Sequence, residues 1–595
     1  MPPVPIQQAF ELAVQHHQTG RLAEAEAIYR QILAVQPRHA GALHLLGVLA
    51  HQTRRNDVAV DLIRQAIAIV PENADFHSNL GIAFSAEERW EDAIAAYRRA
   101  LQIQPDSAVA HYNLGIALKA LGRMDEAIAA YQQALRLKPD YSTKVENNLA
   151  IVFRDTGRLD EALACYRRAL AFDPRHAVTQ SNLIYTLHFH PGHDMASIAG
   201  EQRRWEREFA EPLRKSHRPH ANDRDPDRRL RIGYVSPNFS RHVICHFLTP
   251  LLEAHDHAGF EIHGYASVPV QDAITERMKK TADVWRDVLG VADEALAERI
   301  REDKIDILVD LTQHMGHNRL LVFARKPAPV QVAWLGYPGS TGLPEMDCRL
   351  TDAQMEPEGA AWSESVEMPV RLPDSWFCFD PIEEFPEPGV LPAQRAGHVT
   401  FGCLNTFCKV NDAVLERWVG VMRAVENSRL LLRCPQGAAQ ARVREFFAAR
   451  GIAAERLELV AWTTTRTEFL KLFDRMDIAL DPFPYNGGTT TCETLWMGIP
   501  VLTLPGEGIV ARIGLSILSA CGMPEFVAHT EEEYVRLAAN LAADLPRLSE
   551  LRATLRARMK ASAFMDGPRF AKNVEHAYRE MWRAWCAKQN PVPAP

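Results

Sequence analysis

The feature that most constrains this chain is a repeat of 34 residues that runs through its first third. Proline marks one register of the repeat, a small alanine marks a second, and glycine marks a third. These markers are Pro37, Pro71, Pro105, Pro139 and Pro174, then Ala25, Ala59, Ala93, Ala127 and Ala162, then Gly47, Gly81 and Gly115. A period of this length, with small residues where helices touch, predicts stacked helix pairs, each ended by a proline.

We interpret residues 1–190 as tetratricopeptide repeats, because 34 residues is the length of that two-helix unit. One extra residue falls near Tyr141–Lys144, between two units, where a loop absorbs it. Residues 191–229 follow as a helical linker that becomes polar towards its end.

A second periodicity lies on the first helix of each unit. Asn79, Asn113, Asn148 and Asn182 recur at intervals of 34, 35 and 34 residues. On the inner face of such an array, amide side chains can hydrogen-bond the backbone of an extended protein segment without reading its side chains. We therefore expect these asparagines to bind an acceptor protein. The periodicity fits equally well with amides that only fill a solvated inner face.

The composition limits the class of protein. Hydrophobic residues make up 47% of the 595 and charged residues 24%, as in globular proteins. The net charge of −8 argues against a nucleic-acid partner. Neither a long apolar run nor a signal peptide is visible in the sequence, so we expect no membrane segment. The ten cysteines form no CxxC pair, which favours reduced thiols in the cytoplasm and no zinc site.

The rest of the chain predicts two parallel sheets. Short apolar runs, spaced to leave room for helices, occur at 230–236, 260–265, 305–311 and 330–334, and then at 399–404, 429–433, 457–460, 478–480 and 500–503. We expect an α/β region of two Rossmann-like lobes, 230–381 and 398–590, joined by a linker at 382–397. Trp362, Trp376 and Trp496 are expected in its core. Ligands of such sheets lie at the carboxyl ends of the strands.

The segment Asp481–Trp496 predicts a phosphate site at the start of a helix. It passes from a strand through two glycines into a run of threonines, namely Gly487, Gly488, Thr489, Thr490 and Thr491. Helix N-termini present free N–H groups and partial positive charge, and the glycine pair lets the backbone come close. Glu493, one turn further on, can accept both hydroxyls of a ribose. The alternative is an ordinary helix start with Thr491 as its N-cap.

Four separated motifs resemble those of the O-GlcNAc transferases and the SPINDLY protein O-fucosyltransferases, in the same order. They are Arg231–His246, Arg325–Gly342, Phe401–Lys409 and Asp481–Gly498. Two further stretches, Arg301–Leu311 and Ser562–Cys586, look particularly close to SPINDLY. The likeness covers nearly the whole chain. It implies a two-lobed fold of the GT-B type and an inverting, metal-independent transfer of a sugar to Ser or Thr, without a cofactor.

The resemblance implies a donor site. Lys409 matches the lysine that contacts the donor diphosphate, Thr489 and Thr490 match threonines that contact phosphate and sugar, and Glu493 matches an acidic ribose ligand. An ammonium beside the departing diphosphate stabilises the charge that develops there. The remaining donor-site candidates are Asn405, Phe469, Gly487, Gly488 and Thr491.

Two histidines are catalytic candidates. His242 matches an active-site histidine of the family, to which both a base role and a positioning role have been given, and a neutral imidazole near pH 7 serves either. His314 lies where SPINDLY-like proteins also carry a histidine, with Asp310 as a weaker candidate. A diphosphate oxygen of the donor is a further candidate base. Tyr337 and Pro338 are expected on the acceptor side of the cleft.

Some positions depart from the family pattern. Phe469 stands where many relatives have a histidine that stacks on the nucleobase, so stacking is retained and a hydrogen-bonding group is lost. Gly488 replaces a histidine of the animal O-GlcNAc transferases, and Thr406 replaces a Gln or Asn. These changes alter the pocket and leave the lysine and the threonine run in place.

Three functions are compatible with the sequence. The first is a protein O-glycosyltransferase that uses UDP-N-acetylglucosamine, with GDP-fucose as the alternative donor, and whose partners are extended protein segments. The second is a tetratricopeptide scaffold whose transferase region has lost turnover, an idea that Phe469 and Thr406 support. The third is transfer to a small molecule. That function would leave without a purpose the periodic asparagines Asn79, Asn113, Asn148 and Asn182, which together form an asparagine ladder. Tetratricopeptide contacts can also mediate a homodimer.

Overall fold

The structure is a computed structural model that describes residues 5–360, 365–463 and 465–589. Trp362, which the sequence places in the core, and residue 590, at the end of the second expected lobe, lie outside these residues. The chain divides into two compact units. The first comprises residues up to 153 with 167–172 and 436–438, and the second comprises 154–166, 173–435 and residues from 439 onward.

The first third of the chain is a series of helices joined by short turns. In chain order they are α1 (Ile6–Gln18), α2 (Leu22–Val35), α3 (Ala40–Gln52), α4 (Asn56–Ile69), α5 (Ala74–Ala86), α6 (Trp90–Ile103), α7 (Ala108–Ala120), α8 (Met124–Leu137), α9 (Ser142–Asp155), α10 (Leu159–Phe172), α11 (Ala177–Leu187) and α12 (Met195–Trp205). The side chains of His39, Asn73 and Ser107 cap α3, α5 and α7 by accepting a backbone N–H. Caps of this kind satisfy N–H groups that a helix start leaves free.

Close contact between the helices of a pair explains the periodic small residues. Gly81 lies against the ring of Tyr97 and Gly115 against that of Tyr131, and a Cβ built on either glycine would lie 2.6 Å from a ring carbon. Ala93 is fully buried as well. Any larger side chain would force the helices apart, so the 34-residue period records where they touch.

The second unit contains a seven-stranded parallel sheet. Its strands are β1 (Leu230–Ser236), β2 (Phe260–Ala266), β3 (Val284–Asp287), β4 (Ile307–Asp310), β5 (Val330–Ala333), β6 (Cys348–Asp352) and β7 (Met368–Leu372), in the order β3-β2-β1-β4-β5-β6-β7. The register pairs Leu230 with Phe260 and Ile232 with Ile307. The helices that follow these strands are α13 (Cys245–Ala254), α14 (Ala273–Lys279), α15 (Asp293–Glu302), α16 (Leu320–Phe323) and α17 (Pro392–Ala396).

A second, five-stranded parallel sheet follows in the same unit. Its strands are β8 (Thr400–Cys403), β9 (Arg429–Arg433), β10 (Leu457–Val460), β11 (Ile478–Leu480) and β12 (Val501–Leu502), in the order β10-β9-β8-β11-β12. Its helices are α18 (Asp412–Ala424), α19 (Ala438–Ala448), α20 (Arg466–Leu472), α21 (Thr489–Trp496), α22 (Ile513–Ala520), α23 (Glu531–Ala543), α24 (Leu545–Lys560) and α25 (Gly567–Gln589). The expected pair of parallel α/β lobes is therefore confirmed.

The last helix returns to the first sheet. Glu575 of α25 accepts a hydrogen bond from Nδ1 of His255 at 2.9 Å, and the hydroxyl of Tyr578 lies 3.3 Å from that of Tyr234 in β1. These side chains are buried. The chain therefore links the two lobes twice, once through the segment between β7 and β8 and once through α25.

Three strands of the first sheet were absent from the sequence-based expectation. β3 is half-exposed and polar, β6 carries Arg349 and Asp352, and β7 carries Pro369 at the edge of the sheet. Such strands lack the continuous apolar run of a buried parallel strand, and an edge position tolerates proline. No helix in the described part of the chain is long and apolar enough to cross a membrane.

Candidate active site

A cleft opens at the carboxyl ends of the strands in the second unit, with about 1070 Å³ of space that protein atoms do not fill, part of it open to solvent. Side chains from both lobes and from the preceding helical segment line it. The second lobe contributes mostly polar groups, namely Asn405, Thr406, Cys408, Lys409, Tyr485, Gly488, Thr489 and Thr490. The first lobe contributes mostly apolar groups, namely Val243, Ile244, Phe247, Met315, Leu335, Gly336, Pro338, Trp376 and Phe377.

The polar wall is built around the start of α21. The helix begins at Thr489, and no side chain caps it. Thr491 is therefore inside the first turn and is not the N-cap, which corrects the alternative reading of this segment. The free N–H groups and the partial positive charge at this helix start face the cleft through Gly488, Thr489 and Thr490. The wall can hold an anion such as a phosphate.

Asp481 fixes the loop that precedes this helix. Its carboxylate accepts the N–H of Gly487 at 2.7 Å and the hydroxyl of Thr503 at 2.8 Å. Burial raises the pKa of Asp481 to about 7. A Cβ on Gly487 would lie 3.0 Å from an oxygen of Asp481 and 3.0 Å from the amide oxygen of Asn405. Glycine is therefore required here, because a Cβ would also lie 2.3 Å from the hydroxyl oxygen of Thr491, whereas Gly488 has open space where a side chain would point.

Lys409 supplies a cation to the same wall. It follows β8, and its Nζ donates to the carbonyl oxygen of Asn486 at 2.6 Å and lies 4.3 Å from the centre of the Tyr485 ring. Burial lowers the pKa of Lys409 to about 8, so the ammonium still predominates at pH 7. Among the described residues no carboxylate lies within ion-pair distance of this nitrogen. The charge of Lys409 is therefore available to an anionic ligand.

A second group of side chains follows the helix start along α21. Glu493 is 5% exposed and accepts a 2.6 Å hydrogen bond from Arg466, which donates at the same distance to Glu383. Burial raises the pKa of Glu493, against the opposing effect of Arg466. The expected ribose ligand is thus held by an arginine and is not free in this state.

Phe469 lies beside two guanidinium groups. The Arg466 carbon Cζ is 5.3 Å from the centre of its ring, and that of Arg433 is 5.4 Å away. Arg433 also lies 4.1 Å from the centre of the Trp462 ring, and Trp462 is 63% exposed. Aromatic faces and guanidinium planes together form a platform on which a planar base can stack.

His242 lies at the edge of the apolar wall, immediately before the lining residues Val243 and Ile244. Burial lowers its pKa to about 4, so the imidazole is neutral at pH 7. Its Nδ1 accepts a long hydrogen bond of 3.4 Å from the backbone N–H of Ile244. The histidine is therefore next to the cleft, without lining it in this state.

His314 does not reach the cleft, which is a correction to its expected catalytic role. The ring is fully buried, with Nδ1 3.0 Å from the hydroxyl of Ser181 and Nε2 2.8 Å from the carbonyl oxygen of Thr341. Both nitrogens are occupied, so the residue joins α11 to the loop after β5. Asp310, the weaker candidate, is also buried, and its carboxylate accepts the N–H groups of Thr312 and Gln313.

Two other expected site residues point away from the cleft. Tyr337 is fully buried against the His188 ring, at 4.7 Å between ring centres, whereas the adjacent Pro338 does line the cleft. The Thr491 hydroxyl is buried beneath the helix start. Neither side chain can touch a ligand in the cleft without a rearrangement.

The asparagines of the repeat array differ in their surroundings. The amide of Asn79 lies 2.8 Å from Nε2 of His44, and that of Asn148 donates to the hydroxyl of Tyr112 at 2.9 Å. Asn113 is half-buried. Asn182, which belongs to the second unit, is 7% exposed. The amides of Asn79 and Asn148 are thus held by the preceding repeat.

Among the lining residues that the sequence did not foresee, four come from the helical segment that precedes the first lobe. They are Arg154, Asp155, Tyr185 and Phe189. Arg154 pairs with Asp155 at 2.8 Å, and the Phe189 ring stacks on Tyr485 at 4.8 Å. No local motif marks them, because only the folded second unit brings them to the cleft.

These features define a two-lobed α/β protein that follows helical repeats and has an uncapped helix start in its cleft. The family model of glycosyl transferase family 41 matches residues 193–387 and 391–574. Family models of tetratricopeptide repeats match residues 10–74, 78–142 and 143–176. The chain belongs to glycosyl transferase family 41, which confirms the resemblance seen in the sequence.

Individual relatives agree with this assignment. A probable UDP-N-acetylglucosamine–peptide N-acetylglucosaminyltransferase SPINDLY from Petunia hybrida is 41% identical over 372 residues, or 61% of this chain and 40% of the relative. The protein named SEC from Arabidopsis thaliana is 31% identical over 375 residues, or 61% of this chain and 38% of the relative. The match thus spans about 40% of the length of these curated relatives.

One solved structure is similar to this chain over nearly the whole length of the solved protein. It is a mutant of the O-GlcNAc transferase of Thermobaculum terrenum, with a TM-score of 0.79 and 35% identity, and the match covers 87% of this chain and 98% of that one. The architecture of repeats followed by two α/β lobes is therefore shared with a protein of that name.

Proposed function

We propose that this protein transfers a sugar from a nucleotide diphosphate donor to Ser or Thr hydroxyls of protein substrates. The observation that carries the proposal is the pairing of Lys409 with the uncapped start of α21, because both face one cleft and no carboxylate among the described residues lies within ion-pair distance of the lysine. Membership of family 41 supports the same reaction class. Protein acceptors are proposed because of the repeats and the peptide-modifying names of the relatives.

The proposed reaction places the donor diphosphate on the polar wall. The Lys409 ammonium and the first N–H groups of α21 stabilise the negative charge that grows on the leaving diphosphate. The acceptor oxygen attacks the anomeric carbon from the opposite side, with inversion, and the bond to the diphosphate breaks. These groups act without a metal ion, since a fixed ammonium and helix dipole supply the positive charge. This metal independence is part of the proposal.

The acceptor proton needs a base. His242 is neutral at pH 7 and lies beside the cleft, so it can take the proton or position the hydroxyl. A diphosphate oxygen of the donor is the alternative. His314 is not proposed, because both of its nitrogens are already hydrogen-bonded inside the protein.

We propose that the nucleoside occupies the platform around Phe469. Glu493 then binds the ribose once Arg466 yields or shares its hydrogen bond. The base stacks on the platform that Phe469 forms with the guanidinium groups of Arg433 and Arg466. UDP-N-acetylglucosamine is the favoured donor, in accord with the names of the relatives.

GDP-fucose is the second candidate donor, and one observation favours it. Two guanidinium groups flank the platform, and arginine pairs well with the O6 and N7 acceptors of guanine. Uracil has no equivalent pair of adjacent acceptors.

Calorimetric titration of the full chain with both nucleotide sugars tests the proposal. We expect UDP-N-acetylglucosamine to bind and GDP-fucose to bind more weakly, with both affinities reduced in Phe469→Ala. Tighter binding of GDP-fucose would reverse the donor assignment and leave the reaction class intact. Binding of neither donor would contradict the transferase and favour the scaffold function.

A further inference from the structure

Glu383 lies in the segment that joins the two lobes, between β7 and β8. On the side of the first lobe, Asp380 exchanges two hydrogen bonds with His246 of α13, at 2.7 and 2.9 Å. On the side of the second lobe, Arg556 of α24 donates to the carbonyl oxygen of Pro386 at 2.6 Å. The short stretch that contains Glu383 is therefore anchored at both ends.

The backbone immediately before Glu383 is strained. Ile382 has a φ of 52°, in the left-handed region that β-branched residues avoid. Its N–H donates to a carboxylate oxygen of Asp380 at 2.5 Å, and the N–H of Glu383 donates to the carbonyl oxygen of Pro381 at 2.7 Å. Strain of this kind persists only where the surroundings hold it, and it concentrates at functional sites. The strain points to a functional role for this stretch.

Glu383 contacts the donor site through one arginine. It accepts a hydrogen bond from Nε of Arg466 at 2.6 Å, and Nη2 of the same guanidinium donates to Oε1 of Glu493 at 2.6 Å. Arg241 of the first lobe lies 3.5 Å from the other carboxylate oxygen of Glu383. Oε2 of Glu493 has no hydrogen-bond partner among the residues that the structure describes. One oxygen of the expected ribose ligand is therefore left for the ribose.

The way in which Arg466 divides its donors explains this free oxygen. Nε and Nη2 form one edge of a guanidinium group, and that edge fits both oxygens of a single carboxylate. Elsewhere in the chain the same edge does close on one carboxylate, since Arg168 donates through Nε and Nη2 to the two oxygens of Glu146. In Arg466 the edge is split between two carboxylates. Glu383 occupies Nε, so the arginine cannot close on Glu493.

We propose that Glu383 is a positioning residue for the donor, which holds Nε of Arg466 and thereby keeps one oxygen of Glu493 free to accept the ribose hydroxyls. The inference rests on the proposed function, in which Glu493 binds the ribose. A carboxylate accepts several hydrogen bonds, so Arg466 and the ribose share Glu493. Without Glu383 the arginine closes on both oxygens, and the ribose has to compete with it. Glu383 thus favours ribonucleotides over deoxyribonucleotides.

The test compares ribose with deoxyribose on the full chain. UDP and GDP are each titrated by calorimetry beside their 2′-deoxy forms, so that the two members of a pair differ in one hydroxyl. We expect the unchanged protein to prefer the ribonucleotide by at least about tenfold, the usual value of a hydrogen bond to a charged group. Glu383→Ala should reduce this preference to about twofold, because it weakens the contact with the ribose alone.

Transfer kinetics give a second measurement of the same variant. Glu383→Ala should raise the KM for the nucleotide sugar and leave kcat nearly unchanged, because Lys409 and the start of α21 are intact. Glu384→Ala is the matched control, since it removes the same charge from the adjacent, exposed side chain, which has no ion pair among the described residues. It should keep both the preference for ribose and the KM.

A double variant shows whether Glu383 acts through Glu493. Glu493→Gln should lower the preference for ribose on its own, and the addition of Glu383→Ala should lower it no further. A further loss in the double variant would overturn the inference, because Glu383 would then act by another route. A melting curve of each variant accompanies the titrations.

The positioning role and the proposed function fail in different ways. A preference for ribose that is missing from the unchanged protein, or that Glu383→Ala leaves as large as before, would overturn the positioning role and leave the transferase standing. An equal loss of affinity for the ribose and deoxyribose forms would also overturn it, since that result indicates general damage to the donor site. Failure of every nucleotide to bind the unchanged protein would contradict the transferase itself.

Discussion

The two walls of the cleft are built from opposite kinds of residue. The wall from the second lobe presents Lys409, Thr489 and Thr490 with the free N–H groups of a helix start, whereas the wall from the first lobe presents Val243, Phe247 and Phe377. A polar wall with fixed donors stabilises charge without reorganising, and an apolar wall keeps water away from the reacting atoms. In the proposed reaction, this difference lets one wall stabilise the leaving group while the other positions the acceptor.

Burial shifts the pKa of a group on the second-lobe wall and of a group beside the first-lobe wall, and only the first of these stays charged at pH 7. It lowers the pKa of Lys409 to about 8, which keeps the ammonium at pH 7, and it lowers that of His242 to about 4, which makes the imidazole neutral. Changes of charge should therefore matter most on the second-lobe wall, and changes of shape or of proton acceptance on the first-lobe wall.

Removal of the cation should be the most damaging single change. We expect Lys409→Ala to reduce the rate of transfer by about 10²–10³-fold, or about 2.7–4 kcal/mol, which is the usual cost of losing one transition-state donor. The measurement is the initial rate with saturating donor and acceptor. Lys471→Ala, an exposed lysine on α20, is the control and should be neutral. Near-normal turnover of Lys409→Ala would remove the lysine from the mechanism and end the contrast between the walls.

The pH dependence of donor binding should report the same residue. Lys409 is protonated below about pH 8, so affinity should be constant there and fall by up to about tenfold for each pH unit above it. A bound diphosphate stabilises the ammonium and raises its pKa in the complex, so the decline should begin near pH 8 and continue up to that higher pKa. Lys409→Arg should bind the donor with no such decline up to pH 10, because a guanidinium stays charged. The check is calorimetry from pH 6 to pH 10, and a parallel decline in both proteins would contradict it.

Two histidines of the first lobe should respond to mutation in different ways. His314→Leu should lower stability by about 1–3 kcal/mol, since it leaves Ser181 and the Thr341 carbonyl without their partner. His242→Ala should lower transfer by at least about tenfold while changing the thermal midpoint little, because its ring makes one weak hydrogen bond. Both are measured by a melting curve and a rate on the same sample. A catalytic defect in a normally stable His314→Leu would restore His314 to the site.

The sequence predicts those parts of the site that a local motif or a family resemblance identifies, and it misses those that depend on long-range contacts. Thr489 and Thr490 lie where a strand, a loop and a helix follow one another in the chain, so a local motif places them in the cleft, and the resemblance to a known family adds Lys409. His314 also follows a strand, but its side chain turns towards Ser181 of α11, a contact that no local pattern encodes. Arg154 lines the cleft for the same kind of reason, since it comes from a helix far away in the sequence.

The same distinction between local pattern and long-range packing applies to the fold. The buried strands β1, β4 and β8 are apolar runs that the sequence reveals, and the helix pairs follow from the 34-residue period. The strands β3, β6 and β7 are polar or contain proline, and only their neighbours in the sheet define them. Long-range packing thus decides what local pattern leaves open, in the sheet as in the cleft.

The smallest expected effect concerns the acceptor, and it tests whether donor and acceptor functions separate. We expect Asn113→Ala with Asn148→Ala to raise the KM for a protein acceptor by about fivefold per amide, as for the loss of one hydrogen bond of about 1 kcal/mol. Donor hydrolysis in the absence of acceptor should not change, because the groups that hold the diphosphate are intact. Radiolabelled donor, with and without a protein acceptor, measures both activities.

The control for this double variant comes from the structure of the ladder itself. Asn148 donates to the hydroxyl of Tyr112, so Tyr112→Phe breaks that bond and keeps the amide, while Gln132→Ala changes an exposed amide on α8. If the ladder binds acceptor, Tyr112→Phe should leave the KM unchanged or lower it, since it frees the Asn148 amide. If Tyr112→Phe instead reproduces the defect, or if transfer and hydrolysis fall together, the asparagines hold the repeats together and the acceptor is selected elsewhere.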